Sequence, residues 1–105
     1  MAKTVFDPLG NKVLIPQTVL DFDKQMIRSG DVMDDMSKVI ERPIMIFRRE
    51  EEGPVQLYYL RAIGWNKTML IRVQKKDDWF ELVDYEIDPP IERITELHSK
   101  FERLI

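Results

Sequence analysis

The sequence predicts an α+β domain: two N-terminal helices packed on a mostly antiparallel four-stranded sheet, followed by a C-terminal helix. Three observations lead there. A helical apolar spacing runs into Val39-Ile40-Glu41-Arg42-Pro43, four strand patterns follow at hairpin spacing, and Pro89-Pro90 precedes a last helical pattern. The 105 residues read as a single domain. Its parts are an N-terminal hairpin or edge strand (1–16), two helices (17–43), the antiparallel sheet (44–88) and the C-terminal helix (89–105). A chain of this length buries one core, so any site must share residues with the rim of that core.

The elements follow in order. Val5-Phe6 and Val13-Leu14-Ile15 are short apolar pieces around Asp7-Pro8-Leu9-Gly10-Asn11, a turn composition in which Pro presets one dihedral and Gly or Asn accepts positive φ. Thr18 can cap a first helix whose Val19, Phe22 and Met26 share a face and which stops at Gly30. Asp31 or Ser29 can cap the second, where Val32, Met33, Met36, Val39 and Ile40 make the strongest amphipathic pattern in the chain. Pro43 disfavours helical geometry at Arg42 and ends it.

Strand patterns occupy Ile44–Phe47, Val55–Ile63, Thr68–Gln74 and Trp79–Ile87. In the second, alternation places Val55, Leu57, Tyr59, Arg61 and Ile63 on the more apolar face and Tyr58 and Leu60 on the other. In the third, Arg72 falls on the wetter side, opposite Met69, Ile71 and Val73. In the fourth, Val83, Tyr85 and Ile87 alternate with Phe80, Leu82 and Asp84, so both faces are partly apolar, as in a central or covered strand. Gly64-Trp65-Asn66-Lys67 and Lys75-Lys76-Asp77-Asp78 suit hairpin turns. Ile91, Ile94, His98, Phe101 and Ile105, flanked by Leu97 and Leu104, predict a helix of about 15 residues whose stripe covers either its own sheet or a second copy.

Composition narrows the function. The chain is 44% hydrophobic and 33% charged, the balance of a soluble globular protein. It has no apolar run near the roughly 20 residues of a membrane helix and no secretory signal, so the expectation is a cytoplasmic protein that makes no membrane contact. With no cysteine and one histidine, thiolate and His-pair metal sites are excluded and no cofactor is expected. The net charge of −3 argues against a broadly basic nucleic-acid binder. Glycine loops for nucleotides and serine elbows are missing, so hydride transfer and nucleotide hydrolysis have no support.

What remains is tyrosine, arginine and lysine gathered on the strands. Arginine grips phosphate in bidentate fashion and an aromatic ring can stack a base, a set that suits RNA. Cleavage by a 2′-hydroxyl needs a base, an acid for the leaving oxygen and a cation for the developing charge. Arg61, Arg72 and Lys67 can supply the cation, Tyr58 the proton, and Asp84 the base. Lys67, Tyr59, Trp65, Arg28 and Asp23 are the candidates for substrate contact, Tyr59 and Asp23 being also the second choices for acid and base. The bland alternative keeps Tyr59 in the core, pairs the arginines with acids such as Glu81 or Glu86, and leaves Asp84 solvated. His98 sits in the apolar seam of the last helix and reads as structural.

The stretch from Asp7-Pro8-Leu9-Gly10-Asn11-Lys12-Val13 through Val39-Ile40-Glu41-Arg42-Pro43, Tyr58-Tyr59-Leu60-Arg61-Ala62-Ile63-Gly64 and Met69-Leu70-Ile71-Arg72-Val73 to Tyr85 resembles a ribonuclease fold group. The group includes barnase, endoribonuclease U, colicin tRNases and RelE-like toxins, and the likeness is to its phage-associated branch. The resemblance implies an RNA-related, toxin-like domain of a phage or mobile element, with RNA on the concave face of the sheet. Members of that branch usually bring histidines from the first helix, where this chain has Leu20 to Arg28 and none, and a small hydroxyl residue on the last strand, where it has Val83-Asp84-Tyr85. The implied function is a metal-independent ribonuclease working through Arg, Tyr and Lys. The alternative is a catalytically degenerate protein-interaction or structural component, with a protein partner or a homodimer formed through 91–105.

Overall fold

In the computed structural model, which describes residues 3–16, 31–50, 53–63 and 67–105, the chain builds a seven-stranded mixed sheet. The strands are β1 (Lys3–Phe6), β2 (Lys12–Ile15), β3 (Met45–Arg49), β4 (Gln56–Ala62), β5 (Thr68–Lys75), β6 (Phe80–Ile87) and β7 (Glu102–Arg103), in the spatial order β1-β2-β6-β5-β4-β3-β7. Helix α1 spans Asp31–Glu41 and α2 spans Ile91–Lys100. The expected pair of N-terminal helices on a four-stranded antiparallel sheet is therefore corrected to a strand-dominated fold. The anticipated first helix, 18–30, lies outside the described residues, as do Asp23, Arg28 and the turn residues Gly64, Trp65 and Asn66.

Two additions enlarge the sheet. The N-terminal hairpin does not stand apart, because β2 pairs with β6 in parallel, Val13 opposite Phe80 and Leu14 opposite Glu81. At the far edge, the expected 15-residue helix stops at Lys100. Phe101 is extended, and Glu102–Arg103 pairs antiparallel with β3. Packing explains that exit. A helix would put Phe101 and Leu104 on one face, whereas the strand sends Phe101 to one side of the sheet and Leu104 to the other.

Both faces of the sheet are covered, by different helices. On one, Met36, Val39 and Ile40 of α1, spaced along a single helical stripe, are fully buried with Val13, Ile15, Ile46, Tyr59, Met69, Ile71 and Val73. On the other, α2 places Leu97, only 1% exposed, among Phe47, Tyr58, Leu60 and Leu70, with Ile94 and Phe101 beside it. Burying one leucine of that kind contributes about 1.5–3 kcal/mol, and Leu97 is the one residue of α2 that is fully buried. The C-terminal stripe thus docks on its own sheet.

Strand β6 explains its ambiguous pattern. Arg72 pairs with Asp84 but Val73 pairs with Leu82, so Val83 is an extra, bulged residue. Past the bulge, Tyr85 and Ile87 join Phe80 and Leu82 on the α1 face, and Asp84 and Glu86 turn to the α2 face. Simple alternation had placed Asp84 with Phe80 and Leu82.

The β1–β2 turn is tied to the core. Asp7, 5% exposed, accepts hydrogen bonds at Oδ1 from the Leu9 and Asn11 backbone N–H groups (2.9 and 2.8 Å) and at Oδ2 from Asn11 Nδ2 (2.9 Å). Gly10 closes the turn at φ +90, a conformation that costs glycine little.

Candidate functional site

Register brings three of the expected catalytic residues together. Phe47 pairs with Tyr58, Tyr58 with Arg72, and Arg72 with Asp84, which makes one row across β3, β4, β5 and β6 on the α2 face. The next row contains Leu60, Leu70 and Glu86. Tyr58, Leu70, Arg72, Asp84, Glu86 and Arg93 line a cleft of about 240 Å³ there, open beside the first turn of α2.

The cleft is charged and internally paired. Arg72 donates from Nε to Asp84 Oδ1 at 3.2 Å and from Nη2 to Oδ2 at 2.5 Å, a bidentate fork. Arg93 Nη1 lies 3.4 Å from Glu86 Oε1. Both pairs remain part-exposed, so each contributes at most about 1 kcal/mol to folding. Tyr58 forms the wall. Its ring stacks on Phe101 at 5.3 Å, and Arg49 lies 5.5 Å from the centre of the Phe101 ring. Its hydroxyl donates only a long 3.4 Å bond to Gln56 Oε1.

The other expected residues lie elsewhere. Arg61 is on the opposite, α1 face, where Nη1 donates to the Arg42 carbonyl oxygen at 2.7 Å. The two arginines expected to share a phosphate are therefore separated by the thickness of the sheet. Tyr59 is fully buried and donates its hydroxyl to Asp7 Oδ2 at 2.7 Å. Burial first, then that hydrogen bond and the Asp7 charge, push its phenol far above the ordinary tyrosine range. It is unavailable both to a ligand and as a proton donor. Lys67 is exposed at the end of the β4–β5 hairpin, its carbonyl accepting from the Ile63 N–H at 2.9 Å. Trp65, Arg28 and Asp23 are outside the described residues.

Arg93 and Glu86 are the cleft residues that sequence reasoning passed over. The sequence offers Glu86 only as a partner for Arg61 or Arg72, and Glu81, offered in the same role, pairs instead with Lys76 at 3.9 Å. The signal for Glu86 was its place two residues beyond Asp84 on the same strand. Arg93 could be placed only once α2 was known to lie on this face. His98 is outside the cleft, edge-on to Phe47 at 5.1 Å. Among the described residues, no group of three or more His, Cys, Asp or Glu side chains is placed to hold a metal ion, and no helix is long and apolar enough to cross a membrane.

Chemically, the cleft offers two guanidinium groups, two carboxylates and a phenol around a space the size of a phosphate and its sugar. The chain matches no family model, no curated protein and no solved structure.

Proposed function

We propose that this chain is an RNA-related domain whose α2-face cleft takes a backbone phosphate on Arg72 and Arg93. The observation that carries the reading is the Tyr58–Arg72–Asp84 row with Arg93 beside it. Magnitudes favour an exchange of partners. Opening two part-exposed ion pairs costs about 0–1 kcal/mol each, while a hydrogen bond to a charged group gains about 1.5–3 kcal/mol. A phosphate that engages one arginine comes out ahead by about 0.5–3 kcal/mol, and one that engages both by about twice that.

The exchange has a chemical consequence. A phosphate seated on Arg72 releases Asp84, which then stands beside the ribose as a base for the 2′-hydroxyl. In cleavage, Asp84 would remove that proton, the 2′-oxygen would attack phosphorus, and the bond to the 5′-oxygen would break, leaving a 2′,3′-cyclic phosphate. Tyr58 would protonate the leaving oxygen and the arginines would hold the charge developing on phosphorus. No metal enters, as for a toxin-like ribonuclease of a phage or mobile element acting in the cytoplasm.

A second reading is favoured by the charge count of the cleft. Two cations already face two carboxylates, as in a degenerate member that acts as an interaction or structural component. Because Ile94, Leu97 and Phe101 are spent on the sheet, a partner or second copy would meet the exposed Ile91 and Ile105 instead.

Incubation of the whole protein with mixed cellular RNA in EDTA, alongside Arg72→Ala, separates the two. Fragments or a shifted band lost in the variant support the first reading. Intact RNA with no binding by either protein overturns it and leaves the second.

A further inference from the structure

At the C-terminal end of α1, on the face opposite the Tyr58 cleft, Lys38, Glu41, Arg42 and Arg61 line a cavity of about 430 Å³. Among these described lining residues three are cations. In the Tyr58 cleft each guanidinium has its own carboxylate, but here, among the described residues, no ion pair engages Lys38, Arg42 or Arg61. Arg61 commits Nη1 to the Arg42 carbonyl, which fixes its guanidinium plane and leaves its other N–H donors for the cavity.

The bland account is that cations in a last helical turn complement the helix dipole. It explains Lys38 and Arg42, and the single Arg61 donor spent on a terminal carbonyl. Among the described residues it leaves three like charges around one space against one carboxylate, an arrangement that an anion would relieve. Two arginine forks and a lysine point charge match an anion with several oxygens spread over more than one phosphorus.

We propose that this cavity is a binding site for a di- or triphosphate group, distinct from the Tyr58 cleft and independent of the RNA reading. The group can come from free pyrophosphate or from the phosphate chain of a nucleotide, and the recognising chemistry is the same.

The test is calorimetric titration of the whole protein at low salt with pyrophosphate, ADP and adenosine. The expected result is saturable pyrophosphate binding with a Kd on the order of 0.1 mM or tighter, and none for adenosine. ADP equal to pyrophosphate assigns recognition to the phosphate chain alone, and ADP binding about tenfold tighter assigns the source to a nucleotide. Lys38→Ala and Arg42→Ala should each weaken pyrophosphate at least about tenfold, the loss of one hydrogen bond to a charged group. Both side chains are exposed, so the ligand-free melting temperature should hold. Where it falls, Lys38→Gln and Arg42→Gln read the charge alone. With the Tyr58 cleft disabled by Arg72→Ala, saturable pyrophosphate binding should persist and should still be weakened by adding Lys38→Ala, so this proposal and the RNA reading fail separately. Absence of saturable binding, wild-type affinity in the Lys38 and Arg42 variants, or loss of binding in Arg72→Ala would each overturn it.

Discussion

Tyr59 and Asp7, 52 residues apart in sequence, meet in the core through a 2.7 Å hydrogen bond from the phenol to a carboxylate that the β1–β2 turn already surrounds with donors. The bond anchors the N-terminal hairpin to the middle of the sheet. Tyr59→Phe keeps the ring and removes one donor from a buried charge, so it should cost about 1–3 kcal/mol. Urea unfolding measures this, and a loss below about 0.5 kcal/mol would show that the donors of the β1–β2 turn, from Leu9 and Asn11, satisfy Asp7 by themselves.

The same pair sets a pH dependence. The Tyr59 phenol is raised in the folded chain above its ordinary value near 10, so the folded state keeps a proton that the unfolded state releases. Its contribution is complete below about pH 10 and is lost as pH rises, by roughly 1.4 kcal/mol per pH unit. The stability gap between wild type and Tyr59→Phe should narrow with that slope above pH 10. A gap that stays constant to pH 11.5 would contradict the assignment.

Leu97→Ala should cost about 2–5 kcal/mol, because it opens a cavity at the only fully buried position of α2. The exposed Glu96→Ala is the control, with an effect within about 0.5 kcal/mol. Thermal unfolding of both variants decides whether the helix is held by this contact.

Partner exchange in the Tyr58 cleft predicts opposite signs for its two halves. Arg72→Ala should weaken single-stranded RNA and lower the slope of log affinity against log salt by about 0.7, the loss of one phosphate contact. Asp84→Asn should strengthen binding, since the carboxylate competing for Arg72 is neutralised, and should abolish any cleavage. Filter binding across a salt series reads both. Weaker binding by Asp84→Asn would rule out the exchange.

The bulge in β6 makes an unusual deletion tolerable. Removing Val83 joins Leu82 to Asp84 and restores strict alternation with every later side chain on its present face, so the protein should remain folded. Deleting Gln74 from the unbulged β5 shifts Lys75 across the sheet and should destabilise far more. Circular dichroism and melting temperatures of the two deletions test this.

Sequence alone located β3 to β6 and the helix leading into them, because apolar alternation and the Pro43 stop are local signals. It also separated Tyr58 from Tyr59 and Arg61 by face. It could not pair Arg72 with Tyr58 and Asp84, since that depends on register between strands and on a bulge that alternation treats as an ordinary residue. The parallel contact of β2 with β6 and the two-residue β7 left no local trace, the first being set by distant packing and the second disguised by a helical spacing that Phe101 and Leu104 satisfy on opposite sides of a strand.

The parallel seam also sets the order of assembly. Val13 meets Phe80 across a 67-residue gap, and β3 gains its outer neighbour only when Arg103 is in place. Strand β2 emerges from the ribosome before β6 and can pair with it only once β6 is made, across a loop closure that slows folding. Until β2 and β7 dock, β6 and β3 both present open edges, so nascent chains are at greatest risk of pairing with one another in that interval.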